Sequence, residues 1–179
     1  MADPYFPPLE VAGQRLGFDH LEPFVLEMAT QSRPNGVKID VRFSNHCFSE
    51  TFDAARHNDN AVAVWDGPRH RIFCPIRYGL SQALPHILKG LPTAHVYQTP
   101  EANFLRIGVR NDGGAGDYRV FFRVKRGGDA GIDLKLFVES AYSPAAGQAL
   151  AIAHMSKVRF TVLIDKTLKG EKLKFHRKR

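Results

Sequence analysis

Nine consecutive residues, Phe73-Cys74-Pro75-Ile76-Arg77-Tyr78-Gly79-Leu80-Ser81, bring a thiol, a guanidinium, a phenol and a hydroxyl to one junction. The thiolate is the reactive form of cysteine, and a nearby cation lowers its pKa, so Arg77 close to Cys74 suits a nucleophile. Such an enzyme also needs a base within hydrogen-bonding distance. A cysteine that follows Ile72-Phe73 suits packing equally well. Arg77-Tyr78 at a helix start also suits a phosphate or carboxylate, because backbone N–H groups are free there. The plainer reading makes Ser81 a cap and Tyr78 a half-buried ring.

Two further groups can do chemistry. His46-Cys47, His57 and Cys74 form a set of two thiols and two imidazoles, which zinc accepts. Neither cysteine sits in a Cys-x-x-Cys pair, so no metal is expected. Arg119, Arg123 and Lys125 alternate along Tyr118–Lys125 and project from one strand face. Cations so placed can hold a phosphodiester and stabilise charge developing on it. The competing account pairs them with Asp133 and Glu139 across a hairpin. Glu139 and Tyr142 close the following strand, where a phenol and a carboxylate could exchange protons. The candidate catalytic residues are therefore His46, Arg77, Tyr78, Arg119, Arg123 and Tyr142.

Charge points to a polyanion. The 179 residues carry a net +7, yet residues 165–179 hold seven Lys/Arg against Asp165 and Glu171. That segment supplies +5, and the rest of the chain only +2. Lys125, Arg159, Lys172, Lys174, Arg177, Lys178 and Arg179 are the expected nucleic-acid contacts. Phe121 and Phe137, on otherwise polar strand faces, could stack on bases as in sheet-based RNA binders. The N-terminus lacks a basic and then apolar signal pattern, and no run is long enough for a membrane span. These features predict a cytoplasmic chain with reduced cysteines, no cofactor and no membrane contact.

The elements that must position these groups read as one α+β domain over residues 1–165, followed by a basic tail over 166–179. Val37–Phe43 alternates apolar and polar residues and predicts a half-buried strand. Pro23–Met28 reads as a strand, or alternatively as a helix start with Pro23 near its first turn. Ala61–Trp65 and Arg71–Cys74 predict a hairpin around Asp66-Gly67-Pro68. Leu80, Leu84, Ile87 and Leu88 share one helical face, and Pro85 predicts a break near Leu84. Phe104–Val109, Tyr118–Lys125, Ile132–Val138 and Val158–Ile164 predict strands, and Ala149–Met155 a helical turn. Short connections favour antiparallel pairing with one or two helices on a face of the sheet.

Tyr118-Arg119-Val120-Phe121-Phe122-Arg123-Val124, followed by Leu134–Val138, resembles the central strands of RelE/ParE-type toxins and the wider barnase/EndoU/colicin/RelE ribonuclease group. This resemblance spans roughly residues 104–165. It implies metal-independent RNA cleavage, with Arg119, Arg123, Tyr142 or Arg159 placed for phosphate contact and proton transfer. It also brings in an antitoxin as an expected protein partner. His46-Cys47-Phe48-Ser49, Phe73–Ser81 and Phe137–Tyr142 resemble bacterial proteins labelled heat-shock or stationary-phase growth-adaptation proteins. The expected function is thus an RNA-engaging, toxin-like or stress-adaptation protein acting as an endoribonuclease. The alternative is a non-catalytic protein of the same context that binds nucleic acid or a protein.

Overall fold

The computed structural model describes residues 3–58, 60–99, 101, 103–108, 117–144 and 155–173. In chain order its strands begin with β1 (Leu9–Val11), β2 (Gln14–Leu16), β3 (Phe24–Met28), β4 (Val37–Phe43) and β5 (Ser49–Thr51). β6 (Ala63–Asp66) and β7 (Arg69–Phe73) then lead into two short helices, α1 (Pro75–Ser81) and α2 (Leu84–Lys89). β8 (His95–Gln98), β9 (Phe104–Gly108), β10 (Tyr118–Arg126), β11 (Leu134–Tyr142) and β12 (Ser156–Arg159) follow, and α3 (Phe160–Lys169) comes last.

The architecture is α+β. A seven-stranded sheet has the order β12-β8-β9-β10-β11-β4-β3. All its pairs are antiparallel except β11 with β4, which lie parallel. A small sheet of order β5-β7-β6 and the β1-β2 hairpin complete the set among the described residues. The β6–β7 turn closes through Gly67, whose positive φ suits a residue without a Cβ.

One face of the large sheet makes the core. Val37, Ile39, Val41 and Phe43 of β4 meet Leu134, Leu136 and Val138 of β11 and Tyr118, Val120 and Phe122 of β10, all buried. α3 covers this face, with the Phe160 ring edge-on to Phe122 at 6.1 Å. Leu84 and Leu88 of α2 are also fully buried. Pro85 falls in the first turn of α2, where its missing N–H costs nothing, so the helical pattern breaks into two helices at Gln82-Ala83.

The structure corrects the expected strand Val158–Ile164. The strand stops at Arg159 and Phe160 begins a helix. Phe160, Leu163 and Ile164 are buried at helical spacing, while Val162 is exposed. Gly170 ends the helix in the left-handed conformation, its N–H bonding Lys166 and Thr167 carbonyls. α3 therefore runs through the expected domain boundary at 165/166. The helical turn expected at Ala149–Met155 falls, except for Met155, outside the described residues.

Candidate functional site

The polar residues of the opening junction take different partners. α1 begins at Pro75, with Cys74 as its buried N-cap. Arg77 turns its Nη1 back onto the single turn Asn45–Cys47, donating to the His46 carbonyl (3.1 Å) and the Ser49 carbonyl (2.9 Å). Its guanidinium lies over the Tyr142 ring, 5.2 Å from the centroid. Tyr142 in turn stacks on Phe121 at 5.7 Å. Arg77, Tyr142 and the His46 backbone thus come together. Tyr78 does not join them: its hydroxyl donates to the Gly17 carbonyl (2.9 Å) and its ring packs edge-on to Phe18. Ser81 is buried and bonds His20 Nε2 (2.8 Å).

The His46 imidazole points elsewhere, to Asp66 Oδ2 at 2.9 Å. Burial pushes its pKa down, and the Asp66 hydrogen bond opposes that shift. Cys47 is fully buried, and burial pushes its thiol up to about 12, which rules out a thiolate at neutral pH. His57 Nε2 pairs with Glu50 Oε1 (3.1 Å), and its Nδ1 accepts from the Asp53 N–H (2.9 Å). Both cysteines are free, and no group of metal-ligating side chains forms among the described residues. The imidazoles serve carboxylates because each sits beside one on a neighbouring strand or turn.

Arg71 was not singled out from sequence. It is only 7% exposed, and its Nε and Nη2 grip the Ser49 hydroxyl and carbonyl, both at 2.8 Å. The available sequence signal was its place at the head of the apolar run Ile72-Phe73-Cys74 in an expected strand, because an arginine drawn into the interior needs a partner there.

The large sheet's other face carries the remaining candidates. Across β10–β11 the registers Arg119↔Tyr142, Phe121↔Ser140, Arg123↔Phe137 and Lys125↔Lys135 share this face. A bulge between Phe121 and Phe122 leaves Glu139 as the extra residue on β11. Its carboxylate takes Arg123 Nε (2.7 Å) and Asn103 Nδ2 (2.9 Å). Arg119 is only 5% exposed, held by Asp117 through Nε (2.8 Å) and Nη2 (2.7 Å). Two of the four β10 cations, Arg119 and Arg123, are thus neutralised locally, though Asp133 is not a partner of either; it accepts the Lys38 N–H.

Beyond β11 the face continues with Arg42, opposite Phe137, and Asp40, opposite Lys135. Val25 lies opposite Asp40 on β3. On the far side, Tyr97 of β8 and Phe121 both register with Leu105, and Lys157 and Arg159 register with Tyr97 and His95. Phe137 and Val25 are 41% and 47% exposed. Lys125, Lys157 and Arg159 are exposed as well. The surface interleaves aromatic rings with cations. Lys172 is exposed beyond α3, while Lys174, Arg177, Lys178 and Arg179 lie outside the described residues. No described helix is long and apolar enough to cross a membrane.

Comparison with the curated proteins and with the solved structures finds no match. A family model does match, over residues 8–168, and the chain belongs to the YjaZ family.

Proposed function

We propose that this YjaZ-family chain binds single-stranded RNA on the open face of its seven-stranded sheet and leaves it uncleaved. The observation that carries the reading is Phe137. It is exposed at 41% and registers with Arg123 on one neighbouring strand and Arg42 on the other. Adjacent strands lie about 4.8 Å apart, so a base stacked on the ring has a guanidinium beside it on either strand. Sheet-based RNA binders combine stacking on aromatic rings with backbone neutralisation in this way.

The cations already have partners: Arg42 with Asp40 at 2.8 Å and Arg123 with Glu139 at 2.7 Å. The two guanidiniums are more than half exposed while Asp40 and Glu139 are largely covered, so each arginine keeps its carboxylate and offers its outward N–H groups to a phosphate. Lys157 and Arg159, on the far edge of the same face, have no ion pair among the described residues and extend the track.

A second reading, an endoribonuclease, draws on the His46–Asp66 pair. With Nε2–H donated to Asp66, the neutral imidazole keeps Nδ1 for a proton. The Arg119, Arg123 and Tyr78 side chains do not converge on it, which favours binding over cleavage.

The test is fluorescence anisotropy with a labelled single strand and a duplex of the same sequence, in EDTA. Tighter binding of an intact single strand supports the proposal. Equal affinity for the duplex contradicts a stacking surface, and shortening of the strand moves the weight to the second reading.

A further inference from the structure

The geometry points to a phosphate-binding site formed by Arg71 and Arg77 around Ser49. It does not rest on the sheet-face reading, because the observations are separate. Arg71 Nη2 and Arg77 Nη1 both donate to the same Ser49 carbonyl, at 2.8 and 2.9 Å. A carbonyl satisfies the hydrogen bonds but leaves both charges uncompensated. Two cations drawn together in a largely buried place are costly unless an opposite charge joins them.

No described carboxylate does so. Asp66 and Glu50 lie close enough for their fields to reach Arg71, but neither forms an ion pair with Arg71 or Arg77. Asp66 is occupied by His46 (2.9 Å) and Arg69 (3.8 Å). Glu50 is occupied by His57 (3.1 Å) and Arg56 (3.7 Å). Arg56, Arg69, Arg71 and Arg77 stand against these two acids, so four positive charges face two negative ones.

Donors remain to hold an anion. A guanidinium offers five N–H groups. Arg71 spends two on Ser49, and Arg77 spends two on His46 and Ser49, which leaves three on each. The planar fork matches the oxygens of a phosphate. Arg71 forms the buried floor, and half-exposed Arg77 gives access from the α1 side. The Tyr142 ring beneath Arg77 restrains the plane of its guanidinium.

The shared chemistry is a phosphate group, either free or part of a nucleic acid. The experiment titrates inorganic phosphate into the full chain at constant ionic strength and follows the arginine Nε–H signals by NMR. The Arg71 and Arg77 signals should move together with saturation, and that of exposed Arg69 should not. Arg77→Gln should weaken binding at least about tenfold, and Arg77→Lys, which keeps charge but loses the fork, should fall between. No saturating shift at Arg71 and Arg77 in the unmodified chain overturns the site, even if the variants fail to fold. Equal phosphate affinity in folded Arg77→Gln also overturns it. A trinucleotide with and without a 5′-phosphate then separates the sources. Preference for the phosphorylated form assigns the site to a terminal or free phosphate, and equal affinity to a backbone phosphodiester. Neither trinucleotide acting at these two arginines restricts it to the inorganic ion. RNA binding by the sheet is read separately, so either claim can fail alone.

Discussion

The Arg77 guanidinium lies over the ring of Tyr142, 5.2 Å from its centroid, and ties the first helix after β7 to the end of β11. The contact links the Asn45–Ser49 turn to the aromatic surface of the large sheet, because Tyr142 also stacks on Phe121. A cation–π pair contributes about 0.5–2 kcal/mol, more as it is desolvated. A double-mutant cycle of Arg77→Met and Tyr142→Leu, read by urea unfolding, should give a coupling in that range. Additive losses would mean that the two side chains act independently.

Leu84 is fully buried at the start of α2. Leu84→Ala removes packing that no neighbouring exposed residue can replace, so a loss of about 2–5 kcal/mol is expected in chemical denaturation. A loss below about 0.5 kcal/mol would place the helix on its wrong face.

Alkaline pH should destabilise the fold through two buried acids. Cys47 is pushed up to about 12 from an ordinary value of 9.0, and burial also raises Tyr118 above its ordinary 10.0. In the unfolded chain these groups lose their protons first. The stability they confer is whole below about pH 9 and declines through each window as pH rises. The slope is on the order of 1 kcal/mol per pH unit for each group. The Tyr118 hydroxyl is buried and has no hydrogen-bond partner among the described residues. Tyr118→Phe should therefore be neutral or stabilising at pH 7, and its advantage should grow above pH 10. Melting curves across pH 7–11 check this. A variant that loses stability at pH 7 would reveal a partner for the hydroxyl.

Part of this was legible in the sequence. Val37–Phe43 matches β4 from end to end, with Asp40 a buried residue on its polar side, and Pro85 marked the break between the two helices. Val158–Ile164 misled because its apolar residues fit two periods at once. Phe160, Leu163 and Ile164 also form a helical stripe, and packing of Phe160 on Phe122 decides the outcome. The parallel pairing of β11 with β4 and the grip of Arg71 on Ser49 join positions far apart in the chain, which local patterns do not encode. Among the candidate residues, Arg77 and Tyr142 meet. Tyr78 has a closer partner that no spacing announced, the Gly17 carbonyl, whereas Arg123 takes Glu139, as the cross-hairpin pairing predicted.

RNA binding across Arg42, Phe137 and Arg123 stands or falls on the affinity of Phe137→Ala for a single-stranded RNA at fixed salt. The ring is exposed, so stability should change by no more than about 0.5 kcal/mol. Loss of one stacked base should weaken binding by about 1–3 kcal/mol, roughly 5- to 150-fold. A folded Phe137→Ala chain that binds RNA as tightly as the unmodified chain would contradict the account.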